Sequence, residues 1–161
     1  AVQHRARAFG FRRAAFDPLA SDDVFEQTGV DRLNLDTLFA EADILSLHCP
    51  LTPETQHLVD AGRLQAMKPT AILINTARGG LIDTQALAAA LQKGELAGAG
   101  LDVFEDEPLP ADHPLRAAPG TLLTSHVAWY SEQSVPLLQR KAAEEVVRAL
   151  HGEPLRNRVN L

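Results

Sequence analysis

"NTARGGLID" (residues 75–83) follows directly on the apolar run "AILI" (residues 71–74), and the join between them decides how the chain is read. A short apolar run that meets a polar turn and two glycines reads as a buried strand giving way to a new helix. That reading puts Arg78 at the carboxyl end of the strand, beside glycine backbone that a ligand could approach closely. Open α/β sheets keep their binding sites there.

Working outward, short apolar runs alternate with helical patterns, which predicts βαβ units and a parallel sheet. Upstream, "AVQHRARAFG" (residues 1–10) reads as the back half of a helix closed by Gly10. "RAAFD" (residues 13–17) reads as a strand ended by Pro18, "NLDTLFAEA" (34–42) as an amphipathic helix, and "DILSLHCP" (43–50) as a buried strand. Thr52 and Pro53 form an N-cap and first-position pair for a helical "PETQHLV" (53–59), and Asp60 caps a further helix through Met67. Downstream, Asp83 caps "TQALAAALQK" (84–93), which Gly94 terminates. "GAGLDV" (98–103) and "TLLTS" (121–125) are the next strands, joined by the acidic, proline-rich "FEDEPLPADHP" (104–114). A long helix is expected from about Ser131 to His151, with Glu144 and Arg148 paired on one face; Pro136 favours a kink or a start near Ser134.

The chain has 161 residues, enough for a domain with a real core, and a net charge of −6, which gives no electrostatic footprint for nucleic acid. The single cysteine, Cys49, excludes an internal disulfide and fits a reducing compartment. No apolar run approaches the roughly 20 residues that span a bilayer, and the first ten residues lack a signal-peptide pattern. The expectation is a soluble, cytoplasmic unit with no membrane or nucleic-acid partner. His4, His48, His57, His113 and His151 lack paired ligand spacing, so no metal is expected.

Three groups follow three consecutive predicted strands: Arg78, Glu107 in "DVFEDEP", and His126 in "LTSHVAW". A guanidinium can grip a carboxylate by two hydrogen bonds. A carboxylate beside an imidazole favours the protonated ring, a usable general acid near neutral pH. Asp17 closes the first strand as does the acid that binds the adenosine ribose in dinucleotide folds, or it is an ordinary turn aspartate. No G-x-G-x-x-G turn occurs in the chain; the glycines of "GAGLDV" precede a strand and read as close-packing positions. Cys49 reads as a small buried residue.

"HCPLTPETQHLV", "AILINTARGGLID", "GAGLDVFEDEPLP" and "LTSHVAW" together, in this order, resemble the D-isomer-specific 2-hydroxyacid dehydrogenases. The resemblance implies a Rossmann-like, doubly wound parallel sheet of the α/β class that binds NAD. It implies that Arg78 holds the carboxylate of a small 2-oxo or 2-hydroxy acid, that His126 is the acid/base and that Glu107 pairs with it. Asp17 would take the NAD ribose, and Cys49, Pro50, Thr55, Thr76 and Ala77 would line the cofactor. Arg78, Asp102 and His126 would face its nicotinamide end. "AWYSEQSVPLLQRKAAEEVVRAL" looks most like the branch that contains the C-terminal-binding-protein corepressors, where Trp129 would line the substrate pocket.

The resemblance also sets the organisation. Residues 1–130 would be a partial NAD-binding domain, whose first strand and glycine-rich turn lie upstream of Ala1. Residues 131–161 would be a C-terminal helix and tail that pack on a substrate domain. The full-length protein is expected to pair as a homodimer through the nucleotide-binding domain. The function implied is NAD-dependent interconversion of a 2-oxo acid and a D-2-hydroxy acid, this piece alone being inactive. The alternative is an NAD-responsive, corepressor-like binding scaffold without metabolic turnover.

Overall fold

In the computed structural model, which describes residues 2–156 and 158, the apolar runs become parallel strands. The chain divides into two compact units, Ala1–Ser125 and His126–Leu161. In the first, β1 (Ala14–Ala15) pairs with β2 (Asp31–Arg32) in a ribbon of their own. A four-stranded sheet follows, with β3 (Ile44–Leu47), β4 (Ile72–Asn75), β5 (Gly98–Leu101) and β6 (Thr121–Leu123) hydrogen-bonded in that order. Every pairing is parallel, as expected of an α/β sheet whose strands are joined by helical crossovers.

The register sets the core. Leu45, Leu73 and Ala99 lie side by side, as do Leu47, Asn75 and Leu101, and all six are buried on one face. Against that face pack Phe39 from α3 (Leu35–Glu41), Leu64 from α4 (Ala61–Ala66), and Leu87 and Leu91 from α5 (Thr84–Lys93). Burying each such side chain contributes about 1.5–3 kcal/mol. Ile44, Ile72 and Leu122, on the other face, are exposed.

Short-range signals became the expected helix ends. Asp60 accepts from Arg63 N at 2.8 Å and Asp83 from Ala86 N at 2.9 Å, each satisfying an orphan donor of the first turn. Gly94 closes α5 in the left-handed region at φ 70°. Gly10, at φ 74°, closes the turn after α1 (Val2–Arg7) and donates to Arg7 O. Asn34, just ahead of α3, accepts from Thr37 N at 2.8 Å.

Four expectations need correction. Residues 53–59 make only one helical turn. The N–H groups of His57 and Val59 leave it to bond Gly80 O and Leu81 O, which ties the segment to the turn after β4. The stretch 18–33, given no element from its sequence, holds α2 (Asp22–Thr28) and β2. "GAGLDV" contains one close-packing glycine: a Cβ on Gly98 would stand 2.7 Å from Gly120 O, whereas one on Gly100 would meet nothing within 4 Å. Finally, Glu144 pairs with Arg140 and Arg156, and Arg148 with Glu145 and Glu153, in place of a Glu144–Arg148 pair.

In the second unit, α6 (Ser134–Leu150) starts at Ser134, which leaves Pro136 in the first turn, where its missing N–H has no intrahelical partner to lose. Ser131 and Ser134 cap reciprocally, each hydroxyl accepting from the other's N–H at 3.0 and 2.7 Å. No residue of α6 is buried. Among the described residues no helix is long and apolar enough to cross a membrane.

Candidate cofactor and substrate site

The site residues of the first unit lie on loops that leave the carboxyl ends of its parallel strands. After β4, the buried side chain of Asn75 shapes the turn. Its Nδ2 donates to Arg78 O at 2.8 Å and its Oδ1 accepts from Ala77 N at 3.0 Å. Two backbone groups that no ladder can reach are thereby satisfied. Thr76 and Arg78 are exposed on this turn and Ala77 is half-buried. Arg78 is extended, at φ −146°, and its Nη1 donates to Ala77 O at 2.6 Å, which leaves most of the guanidinium's five donors for a ligand. Asn75 is a site residue that the sequence reading passed over, although it opens the decisive stretch; a polar side chain on a strand's core face was the available signal.

The glycines after Arg78 have a different role from the one expected. Gly79 and Gly80 are buried in a short 3-10 turn, Gly79–Leu81. A Cβ at Gly79 would stand 1.9 Å from both C and O of Phe104, and one at Gly80 would stand 3.0 Å from Leu51 Cδ2 and Gln56 Oε1. Their backbone meets neighbouring protein, so the close approach is internal to the fold.

After β5, Asp102 is almost fully buried, with its N–H on Asn75 O at 2.9 Å and its carboxylate accepting the Thr124 hydroxyl. The ends of β4, β5 and β6 are thus tied together through one acid. Glu107 lies five residues further, where its Oε1 accepts from Phe104 N at 3.0 Å.

After β1, Asp17 is exposed, and its Oδ1 accepts from Leu19 N at 2.9 Å and Ala20 N at 3.2 Å. It is a turn aspartate by these bonds, and its second oxygen can accept further. The arginines before it are engaged. Arg12 binds Asp31 and Glu41, and Arg13 binds Gln3 and the carbonyls of Thr28 and Gly29. After β3, Cys49 is half-buried, and burial pushes its thiol pKa up, the wrong direction for a nucleophile. Thr55 spends its hydroxyl on the loop, donating to Pro50 O at 2.7 Å and accepting from Thr52 N at 2.7 Å.

His126 and Trp129 belong to the second unit. His126 stands in the left-handed region, at φ 57°, which is uncommon for a residue with a side chain. Trp129 donates from its indole Nε1 to His126 O at 2.9 Å and meets Tyr130 edge-on. The structure therefore gathers Arg78, Asp102 and Glu107 on loops of one unit, and places the expected acid/base and its neighbouring tryptophan in the other.

Comparison with known proteins gives this arrangement its context. A glyoxylate reductase of Korarchaeum cryptofilum is 42% identical over 160 residues, 99% of this chain and 48% of that protein. A D-3-phosphoglycerate dehydrogenase of Synechocystis is 41% identical over 97% of this chain and 28% of its own length. The chain thus spans about half, or less, of these curated relatives. An NAD-complexed D-isomer specific 2-hydroxyacid dehydrogenase from Lactobacillus delbrueckii ssp. bulgaricus superposes with a TM-score of 0.85 at 35% identity, over 99% of this chain and 51% of that one. These relatives are reductases and dehydrogenases, and they lend no support to the expected corepressor branch or to the scaffold alternative. The family model for the D-isomer specific 2-hydroxyacid dehydrogenase NAD binding domain matches residues 1–128, and through that domain the chain belongs to this family.

Proposed function

We propose that the protein carrying this chain is an NAD-dependent oxidoreductase that interconverts a 2-oxo acid and a D-2-hydroxy acid. The observation that supports it most is the turn after β4, where Asn75 holds the backbone and Arg78 stands exposed beside the loops of Asp102 and Glu107. The donor set suits NAD. Asp17 offers a carboxylate oxygen for ribose hydroxyls, while Arg12 and Arg13 are engaged with acidic side chains, Gln3 and backbone carbonyls. Cys49, Pro50, Thr55, Thr76 and Ala77 would line the cofactor, and Asp102 would lie towards its nicotinamide end. Bound NAD would supply the hydride donor or acceptor.

The chain's own residues do the rest. Arg78 grips the substrate carboxylate by two parallel hydrogen bonds, which fixes the reacting carbon and converts binding into orientation. In reduction, the imidazolium N–H of His126 protonates the carbonyl oxygen. Glu107 favours that charged ring, and Trp129 lines the substrate pocket. Helix α6 packs on the substrate domain of the full-length protein. Assays of the full-length protein with NADH and a panel of small 2-oxo acids, glyoxylate among them, test this reading. Turnover to the D-2-hydroxy acid is expected; no NADH oxidation with any member of the panel would overturn it.

A further inference from the structure

A second set of ionisable and hydroxyl side chains lies outside the residues assigned so far, and it converges on Glu105. His57 Nε2 stands 2.6 Å from Glu105 Oε1. The other oxygen, Oε2, accepts from Thr84 N at 3.0 Å and from the Thr84 hydroxyl in a short bond. Thr84 is the first residue of α5, so the carboxylate takes up one of the helix's orphan N–H groups, next to the Asp83 cap. Burial pushes the Glu105 carboxyl up, but the bonds from Thr84 and His57 outweigh it and hold the group below the usual carboxylate range. It is a charged anchor.

Each partner comes from a different part of the fold. His57 ends the single helical turn after β3, with its backbone in the left-handed region at φ 50° and its N–H on Gly80 O at 2.8 Å. A non-glycine residue there stores strain that its surroundings must hold. Gly80 lies two residues after Arg78, and Glu105 lies two before Glu107. Between them, Gly79 abuts the backbone of Phe104, whose N–H donates to Glu107 Oε1. One carboxylate therefore braces the loop of Glu107 against the α5 N-terminus and against the segment bonded to the turn of Arg78.

We propose that Glu105 is a positioning residue, held by His57 and Thr84, that fixes the loop from which Glu107 acts. This rests on the reading of Glu107 as the partner of His126, and it adds a requirement that reading does not contain. Without the anchor the Phe104–Glu107 bond no longer has a fixed base, and the carboxylate of Glu107 is less well placed for its proposed role. A variant without the anchor should then behave like one in which the charge of Glu107 has been removed.

The test uses the full-length protein and the pH dependence of NADH-driven reduction for Glu105→Ala, Glu105→Gln, Glu107→Gln and the Glu105→Ala/Glu107→Gln pair. Glu105→Ala should lower kcat about tenfold and move the alkaline limb to lower pH, with KM for NADH little changed. Glu105→Gln, which keeps the shape and the acceptor for Thr84, should recover most of the rate. The paired variant should show no further movement of the limb beyond Glu107→Gln. If Glu107→Gln moves the limb and Glu105→Ala does not, the positioning role is wrong while the acid/base reading stands. If Glu107→Gln itself leaves the limb in place, the acid/base reading fails and takes this inference with it. Should Glu105→Ala not fold, His57→Ala removes one arm of the brace and spares the helix contact. A smaller movement in the same direction is then expected, and a wild-type limb would overturn the proposal.

Discussion

Gly79 and Phe104 are in backbone contact: a β-carbon on Gly79 would stand 1.9 Å from the Phe104 carbonyl carbon and oxygen. The turn that carries Arg78 and the loop that carries Glu107 are therefore set against each other by the absence of a side chain.

That contact makes Gly79→Ala a severe substitution. The obstruction is backbone, which cannot rotate away as a flexible side chain would, so a loss of about 3 kcal/mol or more is expected, at or beyond the upper end of ordinary overpacking. Gly100→Ala is the matched control. It lies in β5 with nothing within 4 Å of a Cβ and no left-handed φ, so its stability should stay within about 1 kcal/mol of the parent. Denaturant unfolding of both variants checks the contrast, and equal losses would contradict it.

On the proposed reading, cofactor choice should follow from Asp17. A carboxylate that accepts ribose hydroxyls repels a 2′-phosphate, and Arg12 and Arg13 are tied to Asp31, Glu41 and backbone carbonyls. The full-length protein should prefer NADH to NADPH in kcat/KM, and Asp17→Asn should narrow that preference. Equal or better efficiency with NADPH in the parent would show the assignment to be wrong.

Arg78→Lys keeps the positive charge and removes the planar fork. A point charge cannot hold a carboxylate by two parallel bonds, so KM for the 2-oxo acid should rise and kcat should fall, together lowering kcat/KM by about a hundredfold. The shape of the pH profile should change little, because the proposed mechanism gives Arg78 no part in proton transfer. Steady-state kinetics across pH separates the two effects.

How far the sequence could be read depended on how local each cause was. Asp60, Asp83, Gly10 and Gly94 act within a few residues, and each stands where its capping pattern predicts. The apolar runs of β3, β4 and β5 were legible because a strand buried in a parallel sheet shows little else. The two-residue β2, Asp31–Arg32, has no apolar run to betray it, and the helix before it shows only Ser21, two aspartates and the terminal Gly29. Residues 53–59 looked helical because Thr52 and Pro53 are a proper opening. What stops the helix is remote, since His57 and Val59 donate to the chain around Gly80. The same holds for the site. Arg78 and Glu107 stand out as candidates by type and position, whereas the backbone contact of Gly79 with Phe104 is one that no spacing encodes.

In the function proposed for the full-length protein, Glu107 favours the charged imidazole of His126. If the ring donates the proton in reduction, the rate should fall on the alkaline side of the pH profile. On that reading a carboxylate beside the ring favours its charged form, so a variant without the charge of Glu107 should lose activity at lower pH. The direct measurement is the pH profile of NADH-dependent reduction by the full-length protein and its Glu107→Gln variant. The alkaline limb of the variant should lie at lower pH than that of the parent, with a smaller effect at acid pH. An alkaline limb that stays where the parent has it would contradict the pairing, and Glu107 would then be an acidic loop residue before Pro108.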